Sequence, residues 1–137
     1  MRIIDPGHVY QLDKLDREPG RDDHLASLTF VRRVGDKYPG NEGEPRAGVT
    51  TQEVLRALVA RTIYVDRQVP CGKNLEVLRH LREAIRALEV RAADRRGDVY
   101  AALRLEMGSY DGSIEDLATC ATCGHVLCAD HQNKITT

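Results

Sequence analysis

TTQEVLRALVARTIYVDRQVPCGKNLEVLRHLREAIRALEVRAADRRG, residues 50–97, decides the fold. Thr50 and Glu53 make a T-x-x-E capping box just ahead of an apolar pattern, which marks a helix start. Val54, Leu55, Leu58, Val59, Thr62 and Val65 recur at helical spacing and predict the buried stripe of that helix. It should end near Gln68, because Val69-Pro70 cannot continue it. The run Pro70-Cys71-Gly72-Lys73 breaks the chain, and Asn74 can cap a second helix over 75–96. There Leu78, Leu81, Ile85, Leu88 and Ala92 recur at 3-4 spacing, and Gly97 stops the pattern. A loop this short joins antiparallel neighbours, so a helical hairpin is expected. The 3-4 stripe spans about two heptads and suits intramolecular packing first, a seam between chains second.

Upstream, residues 8–12 (HVYQL) alternate like a half-buried strand. Residues 25–34 (LASLTFVRRV) read as a stronger one, with Leu28, Phe30, Arg32 and Val34 on one face. The charged segment 13–23, with Pro19-Gly20, reads as turn or loop. Residues 35–48 hold four Gly and two Pro and predict irregular backbone, either a plain connector or a loop that admits a ligand to the main chain. Downstream, Asp98 is placed to cap a shorter helix over 99–107, ended by Gly108, with a turn at 109–113. The fold class is therefore α+β: a small N-terminal antiparallel sheet, a long helical hairpin, and a short Cys/His-rich C-terminal extension. The domains expected are 1–108, an α+β domain, and 109–137, a Cys/His-rich tail.

At 137 residues, one compact domain can bury roughly two-thirds of its unfolded surface. With five Tyr, one Phe and no Trp, aliphatic side chains must do most of the packing. The 20 Lys+Arg against 21 Asp+Glu leave a net charge of −1, too little for non-specific binding of polymeric nucleic acid. A local basic pocket remains open. The only lysines are Lys14, Lys37, Lys73 and Lys134. Such arginine excess suits forked phosphate recognition, and it also follows from a GC-rich genome. The N-terminal MRIIDPGHVYQLD lacks a signal-peptide core, and no run approaches the ~20 apolar residues of a membrane span. A cytoplasmic protein with reduced thiols and no membrane partner is expected.

Two constellations carry chemistry. The tail CATCGHVLCADH offers Cys120, Cys123, Cys128 and His131 as a Cys3His set, with His125 as the spare. A structural zinc would order a tail too short to fold alone; otherwise the tail is disordered with reactive thiols, or the site forms only between subunits. Arg91 and Arg95, four apart on the second helix, share one face and suit the two phosphates of a pyrophosphate. Arg33 on the strand adds a third charge. Arginines at this spacing more often line a solvated helix face, and Glu89, Asp94 and Asp98 are near enough to pair with them. Tyr64 offers a ring for a nucleobase, or a core or interface contact. Asn74 offers an amide to a ribose or base edge, in competition with its capping role. Catalysis has little support: no G-x-S-x-G, Walker loop, Rossmann fingerprint or H-E-x-x-H is present, Cys71 has no His beside it in sequence, and His80 falls on the polar side of its helix.

The order FVRRVGDKYPGN, then G-x-T-T-Q-E-V-L-R-A-L-x-x-R-x-x-Y-x-x-x-Q-V-P-C, then E-V-L-R-x-L-R and E-V-R-A-A-x-R-R-G, resembles the phage Thoeris anti-defence sponge family, first type. The resemblance covers about residues 8–97. It implies a protein that binds glycocyclic ADP-ribose signals made by bacterial TIR-domain enzymes and holds them intact. It also implies a small N-terminal sheet followed by helices, homo-oligomers (dimer or hexamer), and pockets shared by two subunits; some members bind cyclic trinucleotides at separate sites. Carried over by motif, Arg91 and Arg95 match the family's late arginine pair, Tyr64 an aromatic near the end of the first helix, Asn74 an asparagine opening the second, and Arg33 the strand arginine. One departure is Asp94, which sets a negative charge beside the arginine pair.

The first functional expectation is thus a non-enzymatic sponge for a small cyclic nucleotide signal, acting in the cytoplasm of a bacterial host. The alternative is a zinc-containing interaction or nucleic-acid-binding module working through the tail. A third reading, an enzyme that acts on the nucleotide, separates from the first by the fate of the ligand.

Overall fold

A computed structural model describes residues 1–15, 25–35, 37, 40 and 43–98. The expected helix at 99–107, the turn at 109–113 and the Cys/His tail lie outside those residues, as does part of each loop at 13–23 and 35–48. The fold is α+β, with a three-stranded antiparallel sheet followed by two helices. The chain divides into two compact units, Met1–Thr51 and Gln52–Thr137.

In the first unit the strands are β1 (Arg2–Asp5), β2 (Val9–Asp13) and β3 (Leu25–Thr29), in the order β1-β2-β3. The β2–β3 ladder runs from Val9 opposite Thr29 to Asp13 opposite Leu25. The expected strand pair is therefore present, with β2 one residue further along. β1 is an addition. Its signal is Asp5-Pro6-Gly7-His8: the His8 N–H donates to the Asp5 carbonyl at 2.9 Å and Gly7 has φ 79°, as in a type II turn with Pro second and Gly third. The ladder shifts register between Ile3 and Asp5.

The expected strand over 25–34 stops at Thr29. Past it, the Gly-rich loop returns and takes over the hydrogen bonding. The Val49 N–H donates to the Thr29 carbonyl at 2.9 Å, and Arg32 and Arg46 exchange two backbone bonds of 2.9 Å. Gly48 permits the approach, since a Cβ there would lie 2.5 Å from the Phe30 backbone carbon. Arg32, expected among apolar residues on one strand face, is buried and ion-paired with Asp5; Arg46 reaches the same carboxylate at 3.4 Å. Tyr10 and Phe30 meet edge to face at 5.9 Å.

The second unit is built on α1 (Thr51–Gln68) and α2 (Gly72–Arg96). α1 begins directly after Thr50 and ends at Gln68, as its sequence predicts. Val59, Leu78 and Ile85 form the buried core of the hairpin, with Leu55, Ile63, Leu81 and Val90 packed against it. The α2 stripe is as expected: Leu78, Ile85 and Ala92 are buried, Leu81 and Leu88 half-buried. The α1 stripe is present in large part: Val59 is buried and Val54, Leu55, Thr62 and Val65 are half-buried, but Leu58 is 45% exposed. Gln52 and Arg56, not expected in it, are buried as well. The reason lies across the hairpin: Glu89 is 0% exposed, and the Arg56 guanidinium donates to its carboxylate at 3.1 Å. A buried carboxylate needs such a partner, so Arg56 must turn inward and Leu58 turns out.

α2 starts three residues before its expected beginning. Cys71, extended at φ −149° and ψ 132°, is the N-cap and gives no side-chain cap bond. Asn74 is thus inside the first turn and is not the cap. The C-terminus is a Schellman motif: the Gly97 N–H donates to the Asp94 carbonyl and the Asp98 N–H to the Ala93 carbonyl, both at 3.0 Å, with Gly97 left-handed at φ 72°.

Removing one partner of the buried ion pair strands the other. Arg56→Ala is expected to lower unfolding free energy by about 3–5 kcal/mol in urea titrations, whereas Arg56→Met combined with Glu89→Leu should fall within about 1–2 kcal/mol of the parent.

Candidate functional site

The turn between the helices is fixed by one carboxylate. Asp66 Oδ1 accepts the Cys71 N–H and the Asn74 side-chain amide, each at 3.0 Å. The same amide reaches the Val69 carbonyl at 3.4 Å. These bonds, the Cys71 N–H first, hold the Asp66 carboxyl below the usual carboxylate range. Sequence reasoning missed Asp66. Its only signal is an acidic residue in the last turn of α1, in reach of the first amides of the next helix.

Asn74 therefore has a structural task other than the one expected of it. With its amide hydrogens directed at Asp66 and Val69, the group it presents to a ligand is its carbonyl oxygen. Tyr64 is 56% exposed near the same end of the hairpin. The Arg61 guanidinium carbon lies 5.8 Å from the Tyr64 ring centroid, within cation–π range. That i, i+3 neighbour orients the ring and was not singled out from sequence.

Arg91 and Arg95 are exposed on the last turns of α2, four residues and so about 6 Å apart along the axis. Each takes part in polar contacts within the chain. Basic residues here also suit the negative end of the helix dipole, so they stabilise α2 whatever else they do. Arg33 is half-buried in the other unit, where its backbone bridges to Gly40. His80 is exposed, as expected, and Cys71 is an exposed free thiol.

Within one hairpin these residues form two groups. Asn74 and Arg91 are 17 residues apart on one unbroken helix, which separates them by about 25 Å; Asn74 and Arg95 are about 31 Å apart. The ring and amide thus belong to the turn end and the arginines to the open end. No nucleotide-sized ring spans that length.

Cys120, Cys123, His125, Cys128 and His131 lie outside the described residues. Among the described residues no group of three or more His, Cys, Asp or Glu is placed to hold a metal, and no helix is long and apolar enough to cross a membrane. No family model, characterised protein or solved structure matches the chain.

The Asp66 clasp has a pH signature. Its folded-state value lies below that of the unfolded chain, so its stabilisation is full above about pH 4 and is lost as pH falls through the lowered value. Asp66→Ala should unfold at lower urea than the parent at pH 6, and that gap should close in acid below the lowered value.

Proposed function

We propose that this chain is a phage-encoded sponge that captures cyclic ADP-ribose-type signals, holds them uncleaved, and so silences bacterial anti-phage defence. The observation that carries the reading is the arginine pair closing α2 in the run EVRAADRRG: two exposed guanidinium groups one turn apart, of a size to hold two linked phosphates. The exposed Tyr64 ring and the Asn74 carbonyl oxygen supply the complementary contacts, stacking for adenine and a polar acceptor for a hydroxyl or amino edge. The resemblance of residues 8–97 to the Thoeris anti-defence sponges supports the same reading. Asp94 beside the pair tempers its charge, and Arg33 is carried only by the resemblance, as the family's strand arginine.

The protein works in the cytoplasm of the infected cell, as a homo-oligomer (dimer or hexamer) whose pockets are shared by subunits. The two-ended arrangement supports such sharing, because in this reading each end of a hairpin supplies half of the contacts. Sequestration needs tight binding and excess protein over signal; a Kd near 10 nM corresponds to about −11 kcal/mol. Several charge-assisted bonds, at about 1.5–3 kcal/mol each, reach that range. Whether cyclic trinucleotides bind elsewhere on the oligomer is a separate property of the same class.

The tail is a structural zinc clip in this reading. Three thiolates and one imidazole, from Cys120, Cys123, Cys128 and His131, are a donor set that zinc favours. The spacing C-x2-C and C-x2-H also favours a second reading, an interaction or nucleic-acid-binding module working through that tail.

The deciding experiment is ligand recovery. The protein is incubated with purified glycocyclic ADP-ribose, stripped of free ligand and heat-denatured, and the released compound is identified by mass spectrometry. Intact ligand is expected; a hydrolysed product would make the chain an enzyme. Arg91→Ala and Arg95→Ala should each weaken capture by roughly 10- to 150-fold in calorimetry. Removing residues 109–137 should leave capture intact; if it abolishes function while Arg91→Ala does not, the tail module is correct. Metal analysis should find about one zinc per chain, lost in Cys123→Ser.

A further inference from the structure

The Asp66 carboxylate does more than close the turn, because it decides which way round the Asn74 amide stands. Asn74 lies in the first turn of α2 and is half-buried. Its side-chain nitrogen meets two oxygens, Asp66 Oδ1 at 3.0 Å and the Val69 carbonyl at 3.4 Å. Both only accept: a backbone carbonyl has no hydrogen to give, and neither has an ionised carboxylate. The Cys71 N–H and then the Asn74 amide hold the Asp66 carboxyl below the usual carboxylate range, so it is ionised at neutral pH. Turned over, the amide would set its own oxygen against both acceptors and forfeit both bonds. Asp66 can swing aside to permit that only by releasing the Cys71 N–H, which donates to the same oxygen at 3.0 Å from the N-cap of α2. Both amide hydrogens are thereby spent, and among the described residues nothing donates to the Asn74 side-chain oxygen. A free amide serves donors and acceptors alike by rotating through 180°; this one serves donors only.

We infer that Asp66 is a specificity-determining positioning residue of the capture site: it fixes Asn74 as an acceptor, so the site takes signals whose base carries a 6-amino group and refuses the 6-oxo counterparts built on hypoxanthine or guanine. The inference rests on the proposed capture of a cyclic nucleotide and adds the base that is selected. A ribose hydroxyl both donates and accepts, so it meets a rotating amide as well as a fixed one. The adenine amino group only donates, its lone pair being drawn into the ring, and is the group to which a fixed acceptor is matched. A 6-oxo group in its place sets carbonyl against carbonyl and leaves both without a hydrogen. Such a mismatch discriminates more strongly than an added contact does, because it strands polar groups that have given up their water. Arg91 and Arg95 contribute nothing to the choice, since the diphosphate is the same in both ligands.

The test measures a ratio of affinities. Calorimetry is run with glycocyclic ADP-ribose and with the hypoxanthine counterpart obtained by deaminating its adenine. The parent should prefer the adenine ligand by roughly 10- to 100-fold. Asn74→Leu should lose most of that preference by weakening capture of the adenine ligand. Asp66→Ala frees the amide to turn its hydrogens towards a carbonyl, and should bring the two affinities together chiefly by improving capture of the hypoxanthine ligand. A role confined to holding the turn would weaken both ligands alike and leave the ratio unmoved. Asp66→Asn should keep the preference, because the Cys71 N–H still draws the substituted side chain's oxygen into the turn, where it accepts from Asn74. Equal affinities in the parent, or a ratio unmoved in both Asp66→Ala and Asn74→Leu, overturns the inference and leaves the sponge standing. A parent that binds neither ligand overturns the sponge, and the selectivity with it.

Discussion

The carboxylate of Glu89, sealed inside the helical hairpin, governs how the second unit is arranged. An ionised group at that depth is tolerated only with a charged partner at hydrogen-bonding distance, and Arg56 is that partner. The pair sets the rotation of α1 about its own axis. It also sets the sliding register of the two helices, because a shift by one turn would carry the guanidinium about 5 Å from its carboxylate. Leucine and valine contacts alone would tolerate several such registers. The apolar surface that the pair turns outward is thus a by-product of satisfying a buried charge.

At the other end of the hairpin, a second carboxylate does a lighter task. Asp66 joins the last turn of α1 to the first of α2 without leaving solvent, so its contribution is geometric more than energetic. It aims the Asn74 amide and keeps the turn tight although Pro70 and Gly72 would otherwise leave it loose. The rigid rod of α2 then fixes how far that turn lies from Arg91 and Arg95. A receptor for a compact anion is awkward to build on one such rod, and easy to build on two of them side by side.

Much of this was legible in the sequence. Repetition at 3-4 spacing from Leu78 to Ala92, the break at Pro70 and the stop at Gly97 gave both helices and their pairing, because each is a local physical requirement. The strand at 9–13 and the first part of 25–34 were visible for the same reason. β1 was not, since a four-residue strand has too few positions to show alternation; the Asp5-Pro6-Gly7 turn was its real trace. The early end of β3 was hidden because it depends on a distant segment that only Gly48 lets approach. The burial of Arg56 and the exposure of Leu58 were hidden too: hydropathy ranks Arg56 among surface residues, and nothing local reveals that Glu89 waits across the hairpin. Asn74 illustrates the limit for sites. Its residue type suits a cap or a ligand contact, and the neighbour that sets its task, Asp66, is eight positions away.

The left-handed turn at Gly97 has a consequence for how far the second helix can run. Both final carbonyls it covers are bonded by the next two amides, so the helix ends at a fixed point whatever side chains follow. Lengthening α2 would require the loss of that glycine, and any bulkier residue there resists the same backbone shape. The helix end that carries Arg95 and, one turn further back, Arg91 is therefore set by backbone geometry rather than by the side chains beyond it. The glycine serves as a firewall between the helical rod and the residues that follow it.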